Sequence, residues 1–237
     1  MSDKHLSTQF DSDLRGASAR VMELGGLVES QIRQAVYALS QFNAEAASKV
    51  LETEQRVNAM ELDIDRELSS IIARRQPTAR DLRLLIAISK TTANLERVGD
   101  EAAKIARMVR SIIDSGASRS LPASELRLAA DLASELLRRA LDAFARLDTE
   151  AALAILKADD QIDQEFDGFV RKLITYMMED PRTISASLDL LFLAKAIERI
   201  GDHAKNIAEF IIYVVMGADV RHASMAEVES ALRQEGR

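Results

Sequence analysis

One stretch occurs twice in the chain, and that repetition limits the fold more than any other feature. Residues 96–106 read ERVGDEAAKIA and residues 198–208 read ERIGDHAKNIA. Without a gap, Glu96/Glu198, Arg97/Arg199, Gly99/Gly201, Asp100/Asp202, Ala102/Ala204, Ile105/Ile207 and Ala106/Ala208 are identical. Such a match marks an internal duplication, so the fold must be one that two copies can build. A second correspondence supports this. Asp148-Thr149-Glu150-Ala151-Ala152 mirrors Asn43-Ala44-Glu45-Ala46-Ala47 at an offset of 105, whereas Glu96 to Glu198 is an offset of 102. The second copy is therefore three residues shorter around its proline break.

Apolar residues recur at helical spacing through both copies. The first element spans about 7–41, with Leu14, Ala17, Val21, Leu24, Val28, Ile32, Ala35 and Leu39 on one stripe. Gly25-Gly26 inside it marks either a kink or a close helix contact. The second spans about 44–75 on Val50, Val57, Ile64, Leu68 and Ile71, flanked by a polar ridge of Glu54, Asn58, Glu61 and Asp65. Pro77 stops it. The third spans about 78–114, and a small-residue loop at 115–118 follows. The second copy repeats the plan at about 122–147, 149–179 and 183–217, and a polar tail closes the chain with one short helix near 225–233. The fold class is therefore all-α: two tandem antiparallel three-helix bundles related by a pseudo-two-fold axis. The expected divisions are 1–118, 119–218 and a tail at 219–237.

Composition agrees. Aromatics are 4% of the 237 residues and only 3 are Pro, while 47% are hydrophobic, which favours long helices over strands. With no cysteine, disulfides, thiolate zinc sites and Cys nucleophiles are excluded. The first residues lack a secretory apolar region, and the longest apolar runs are about half of what spans a bilayer, so a cytoplasmic protein is expected. A net charge of −7 without a basic patch argues against nucleic acid as a partner. No Glu-x-x-His, P-loop or credible Ser/His/Asp order is present, so no catalytic role is expected.

The repeated unit carries two costs. Glu96 and Asp100 are like charges at i and i+4, and Gly99 costs a helix roughly 1 kcal/mol against Ala. Glu198, Asp202 and Gly201 repeat both. A cost kept twice points to close packing, cation binding, or both. Helix geometry puts Glu96 and Asp100 roughly 140–180° from the apolar stripe, pointing away from the core. On the neighbouring helices lie Asp159-x-x-x-Asp163 and its equivalent Glu54-x-x-x-Asn58. If each pair of ridges converges, the oxygen-rich groove suits iron, manganese, magnesium or calcium, and the alternative is a plain solvated polar face. Arg97 and Arg199 read as surface ion-pair residues, His203 as a solvated histidine, and the two glycines as packing residues.

These residues bear a resemblance. RRQPTARDLRLLIAISKTTANLERVGDEAAKIA (74–106) and DLLFLAKAIERIGDHAKNIAEFIIYVVMG (189–217) resemble the two repeats of the PhoU family of phosphate-transport regulators. MELGGLVESQIRQAVYAL (22–39) is similar to that family's first helix. The resemblance spans about residues 8–218 and implies two three-helix bundles. It also implies multinuclear iron or zinc clusters, seen in some members, on Glu96/Asp100, Glu198/Asp202 and Asp159/Asp163. Glu54 is the fourth matched position, but Asn58 departs from the pattern because an amide replaces a carboxylate.

The function the resemblance implies is negative regulation of the phosphate-starvation response. The protein would be a cytoplasmic adaptor between the phosphate ABC transporter's ATPase and a sensor histidine kinase, meeting the membrane only through them. A homodimer is the expected assembly. The alternatives are a metal-binding or storage bundle, a structural partner, or a regulator of another phosphate permease. No anion nest or Arg cluster is visible, so direct phosphate sensing is not expected.

Overall fold

The computed structural model describes residues 8–116, 126–221 and 223–235. Among them are seven α-helices: α1 Thr8–Gln41, α2 Ala44–Arg75, α3 Ala79–Asp114, α4 Leu126–Arg146, α5 Thr149–Glu179, α6 Ile184–Met216 and α7 Met225–Glu235. No described residue is in a strand. The expected boundary near residue 118 lies outside the described residues.

The duplication is written into the turns. α1 ends on Phe42 and α4 on Leu147, both left-handed, with φ of 47° and 51°. At each, a backbone N–H reaches back over the last turn, Asn43 to Ala38 O and Asp148 to Ala143 O, both at 3.0 Å. This closes the orphan carbonyls of the helix end. The next helix then starts on a side-chain cap. Asn43 accepts from the Ala46 N–H at 2.8 Å and Asp148 from that of Ala151 at 2.9 Å. The proline breaks differ. α2 ends on left-handed Gln76, whereas Asp180 caps a 3-10 turn at Pro181–Thr183 ahead of α6. α1 continues through Gly25-Gly26 as one helix.

α1, α2 and α3 pack on one another, and so do α4, α5 and α6. The bundles are joined chiefly by α3 on α6, the most extensive helix pair in the molecule, and by α1 on α4. One hydrophobic core runs through both. The α3–α6 pair is antiparallel along its length. Arg83 donates to Val214 O, Glu101 pairs with Arg199, and Ser111 donates to Asp189, so numbers rise on one helix as they fall on the other. This register sets Gly99 and Gly201 at one level, where a pseudo-two-fold axis relates the copies.

The glycines of the core permit close approach. A Cβ on Gly25 would lie 2.8 Å from Leu141 Cδ1, so α1 meets α4 there. A Cβ on Gly99 would lie 3.1 Å from both Val57 Cγ1 and Gln31 Oε1, between α2 and α1. The tail returns to the second bundle. Val220 and Val228 are buried, and Glu229 on α7 pairs with Lys157 on α5 at 2.5 Å. No helix among the described residues is long and apolar enough to cross a membrane.

Candidate functional site

The repeated acids lie on α3 and α6, the two helices at the junction of the bundles. They do not point freely into solvent as the helix geometry predicts. The Glu96 and Glu198 side chains are 16% and 12% exposed, and Asp100 is 33% exposed. The physical reason is that α3 packs on α1, α2 and α6, and α6 on α3, α4 and α5. The side opposite one apolar stripe is covered by another helix. The carboxylates are sheltered at the flanks of the helix contacts, neither sealed in nor open.

In the first copy α2 does bring its ridge against α3, with Glu61 as the residue that meets the repeated pair. Burial pushes the Glu96 carboxyl above the usual carboxylate range, and Asp100 and Glu61 push it further. Burial also raises Glu61, with Asp65 and Asp100 adding to it. Arg97 partly offsets this charge, 3.4 Å from Glu96 and 3.5 Å from Asp100. Glu54 lies elsewhere on the ridge, paired with Arg107 at 3.4 Å, and Asn58 is exposed.

In the second copy Glu198 Oε1 is met by Lys195 Nζ at 2.5 Å, and Glu198 Oε2 is buried with no hydrogen-bond partner. Asp202 is half-buried and Asp163 is exposed, and both have partners. The Asp159 side chain lies outside the described residues. Among the described side chains, no group of three or more His, Asp or Glu is arranged to hold a metal ion. The first copy has the carboxylates to attract a cation, but Arg97 lies among them and Asn58 supplies an amide.

Between the copies runs a polar seam that sequence reasoning missed. Glu101 is 5% exposed and is held by Arg199 Nη1 across the helix pair and by Lys104 Nζ, both at 2.9 Å. A buried carboxylate needs such partners. Arg199 is thus a cross-bundle residue rather than a surface ion-pair residue. Its symmetric counterpart shows why the seam escaped notice: His203 occupies the place of Glu101, so the position is not a repeat. His203 is not solvated as expected. Nδ1 lies 2.9 Å from Asn94 Oδ1, which also accepts from Asn206, and Nε2 is buried without a partner. Burial, with Arg199 and Arg97 nearby, pushes its pKa down to about 4.

Gln31 is a second missed residue. It is 1% exposed on α1 and donates from Nε2 to Val50 O on α2 and Gly99 O on α3, each at 3.2 Å. One amide so ties three helices at the level of the repeated glycine. The only signal for it was a polar residue beside Ile32 on the apolar stripe. Elsewhere, α1 and α4 leave a groove of about 550 Å³, edged by Glu29, Asp131 and Glu135 and by Arg33, Arg127 and Arg138. Three charges of each sign do not select an anion.

The comparisons agree with this architecture. The PhoU domain matches residues 21–109 and 126–211, one stretch in each bundle. A Burkholderia protein named phosphate-specific transport system accessory protein PhoU homolog is 54% identical over 225 residues, covering 94% of this chain and 96% of that relative. The Escherichia coli K12 protein named phosphate-specific transport system accessory protein PhoU is 44% identical over 231 residues, covering 97% and 95%. The crystal structure of PhoU from Pseudomonas aeruginosa superposes with a TM-score of 0.85 at 43% identity, covering 88% of this chain and all of that one. The phosphate transport system regulatory protein PhoU from Streptococcus pneumoniae gives 0.82 at 27% identity, over 89% and 99%. The duplicated bundle, its shared acidic motif and these full-length matches place the chain in the PhoU family.

Proposed function

We propose that the protein is a non-catalytic negative regulator of the phosphate-starvation response and of phosphate uptake. It acts in the cytoplasm as a homodimeric adaptor between the ATPase of the phosphate ABC transporter and a sensor histidine kinase. The observation that carries this reading is the match along nearly the whole chain to relatives named for the phosphate-specific transport system. The surface supports an adaptor with two unlike faces. The first bundle carries the acids Glu61, Asp65, Glu96 and Asp100 along the flank where α2 meets α3, part-buried except for exposed Asp65. The second presents Ile184, Leu188 and Phe192, exposed by 42%, 41% and 55%, one helical turn apart on α6. Exposed apolar stripes suit protein partners, and unlike faces suit unlike partners. Deleting the gene should switch starvation genes on in phosphate-rich medium. Normal repression in the deletion strain refutes the reading.

A second reading makes the first-copy acids a cation-holding face, for iron or zinc, with storage as the purpose. Beyond burial, Asp100 and Glu61 push the Glu96 carboxyl up and Asp65 and Asp100 push Glu61 up, which favours it, because a divalent cation there would relieve the repulsion. Elemental analysis of purified wild type and of Glu96→Gln/Asp100→Asn, with gene expression in the matching strains, separates the two. If the variant loses metal and keeps repression, storage and regulation are independent.

A further inference from the structure

The two copies treat their repeated glutamate differently. In the second, Lys195 Nζ is 2.5 Å from Glu198 Oε1 and 5.2 Å from the centre of the Phe166 ring. An ammonium between a carboxylate and an aromatic face is attracted by both. Glu198 is 12% exposed, so water solvates its charge poorly and a counter-ion has much to offset. In the first copy the offsets of 102 and 105 put Ala93 where Lys195 stands and Glu61 where Phe166 stands. One copy therefore has a methyl group and an extra carboxylate where the other has an ammonium and an aromatic ring.

A cluster on the second copy would need Glu198 and Asp202 open to a cation. Glu198 Oε1 already carries a positive charge supplied by the chain. Its Oε2, buried and without a partner, would be free to ligate only if a cation entered beside that ammonium. Two cations sharing one largely buried carboxylate repel each other. We propose that Lys195 is a built-in counter-ion that replaces the metal on α6, so that no cluster forms on Glu198 and Asp202 while Lys195 is present. The inference concerns only the second copy and stands apart from the regulatory reading.

The test reads the second copy alone. In a Glu96→Gln/Asp100→Asn background, Mn²⁺ binding is measured by electron paramagnetic resonance and Zn²⁺ binding by calorimetry. Lys195 is half-exposed, so its replacement should leave the fold intact, and circular dichroism checks this. Adding Lys195→Ala, or Lys195→Met to keep the side-chain stem, should tighten binding at least tenfold. Lys195→Arg should leave it weak. Glu198→Gln added to Lys195→Ala should remove the gained site. Equal affinity with and without Lys195, or no binding in either protein, overturns the proposal.

Discussion

Gly25 and Gly26 are adjacent on α1, and replacing each by alanine should stabilise the protein at Gly26 but not at Gly25. Both substitutions gain about 1 kcal/mol of helix propensity, because alanine restricts the unfolded chain and suits the helix. Gly26 is exposed, and a Cβ there meets nothing within 4 Å, so Gly26→Ala should keep the whole gain. Gly25 is buried. Its new Cβ would lie 2.8 and 2.9 Å from the two methyls of Leu141 and 3.4 Å from its Cγ. Leu141 is 2% exposed and has no solvent to retreat into. Overpacking of this kind costs about 1–3 kcal/mol. Net of the propensity gain, Gly25→Ala should be neutral to destabilising by about 2 kcal/mol, leaving a gap of about 1–3 kcal/mol between the variants. In a chain of this length, 1 kcal/mol shifts Tm by about 2–4 °C. Thermal and urea unfolding of the pair measure the gap directly. Leu141→Ala should leave a cavity by itself yet lose less when Gly25→Ala is present, because the new methyl enters that space. A Gly25→Ala protein as stable as Gly26→Ala would refute the close contact between α1 and α4.

Three further outcomes test the polar interior. Gln31→Ala removes both carbonyl contacts and leaves a void, and should destabilise by about 2–3 kcal/mol in urea unfolding. Arg199→Met leaves buried Glu101 with Lys104 alone and should cost about 2 kcal/mol, much of which Glu101→Gln in the same protein should recover. His203 tests the seam through pH. Its folded pKa of about 4 lies below the unfolded value of 6.5, so the unfolded chain takes up the proton first. His203 thus leaves stability unchanged above pH 6.5 and lowers it as pH falls from there towards 4. The ceiling is about 3 kcal/mol, reduced to about 1–2 kcal/mol because the residue is only half-buried. Glu61 and Glu96, whose pKa values are raised, act in the opposite sense, so the quantity to measure is the wild type minus His203→Asn. A flat difference between pH 7 and 5 would place the ring in water.

The helices were legible in the sequence because each boundary carries a local cause. Pro77 and Pro181 stop helices, Asn43 and Asp148 cap them, and the stripe of Leu14 to Leu39 has one period throughout. The orientation of the acids was less legible. A helical wheel assigns each helix one buried side, and that suffices for α2 or α5. It fails for α3 and α6, whose neighbours stand on three sides, so that Glu96 and Glu198 face a helix flank instead of water. Repeat logic also has a blind spot. Glu101 and His203 differ, so comparing the copies discards them, yet both sit at the pseudo-two-fold seam. Glu61 stood on the ridge in view, but only the packing of α2 on α3 selects it over Glu54, which Arg107 holds. The Lys195–Phe166 contact crosses two helices and needs their register.

What duplication preserves and what it releases follow from one geometry. Positions near the axis packed hard against a neighbouring helix, such as Gly99 between the Val57 and Gln31 side chains, tolerate little change. Positions where the copies face each other are different. At a true two-fold, Glu101 opposite Arg199 would be repeated as a second Glu opposite Arg97, and two buried carboxylates would need two cations each. With His203 in one place, the seam holds one buried anion and one neutral ring, which reduces the charge taken out of water. Further out, the exchange of Glu61 and Ala93 for Phe166 and Lys195 makes one flank acidic and the other self-neutralised and apolar. A single fused chain can carry both versions, whereas a symmetric pair of identical bundles has to carry one version twice. On this argument, the gain from fusing two bundles is the freedom to present different faces to different partners. Exchanging the flanks tests it, with Glu61→Phe/Ala93→Lys in one protein and Phe166→Glu/Lys195→Ala in another. Each should disturb a different partner contact in pull-downs from phosphate-rich cells, and loss of the same contact in both would mean that the faces are equivalent.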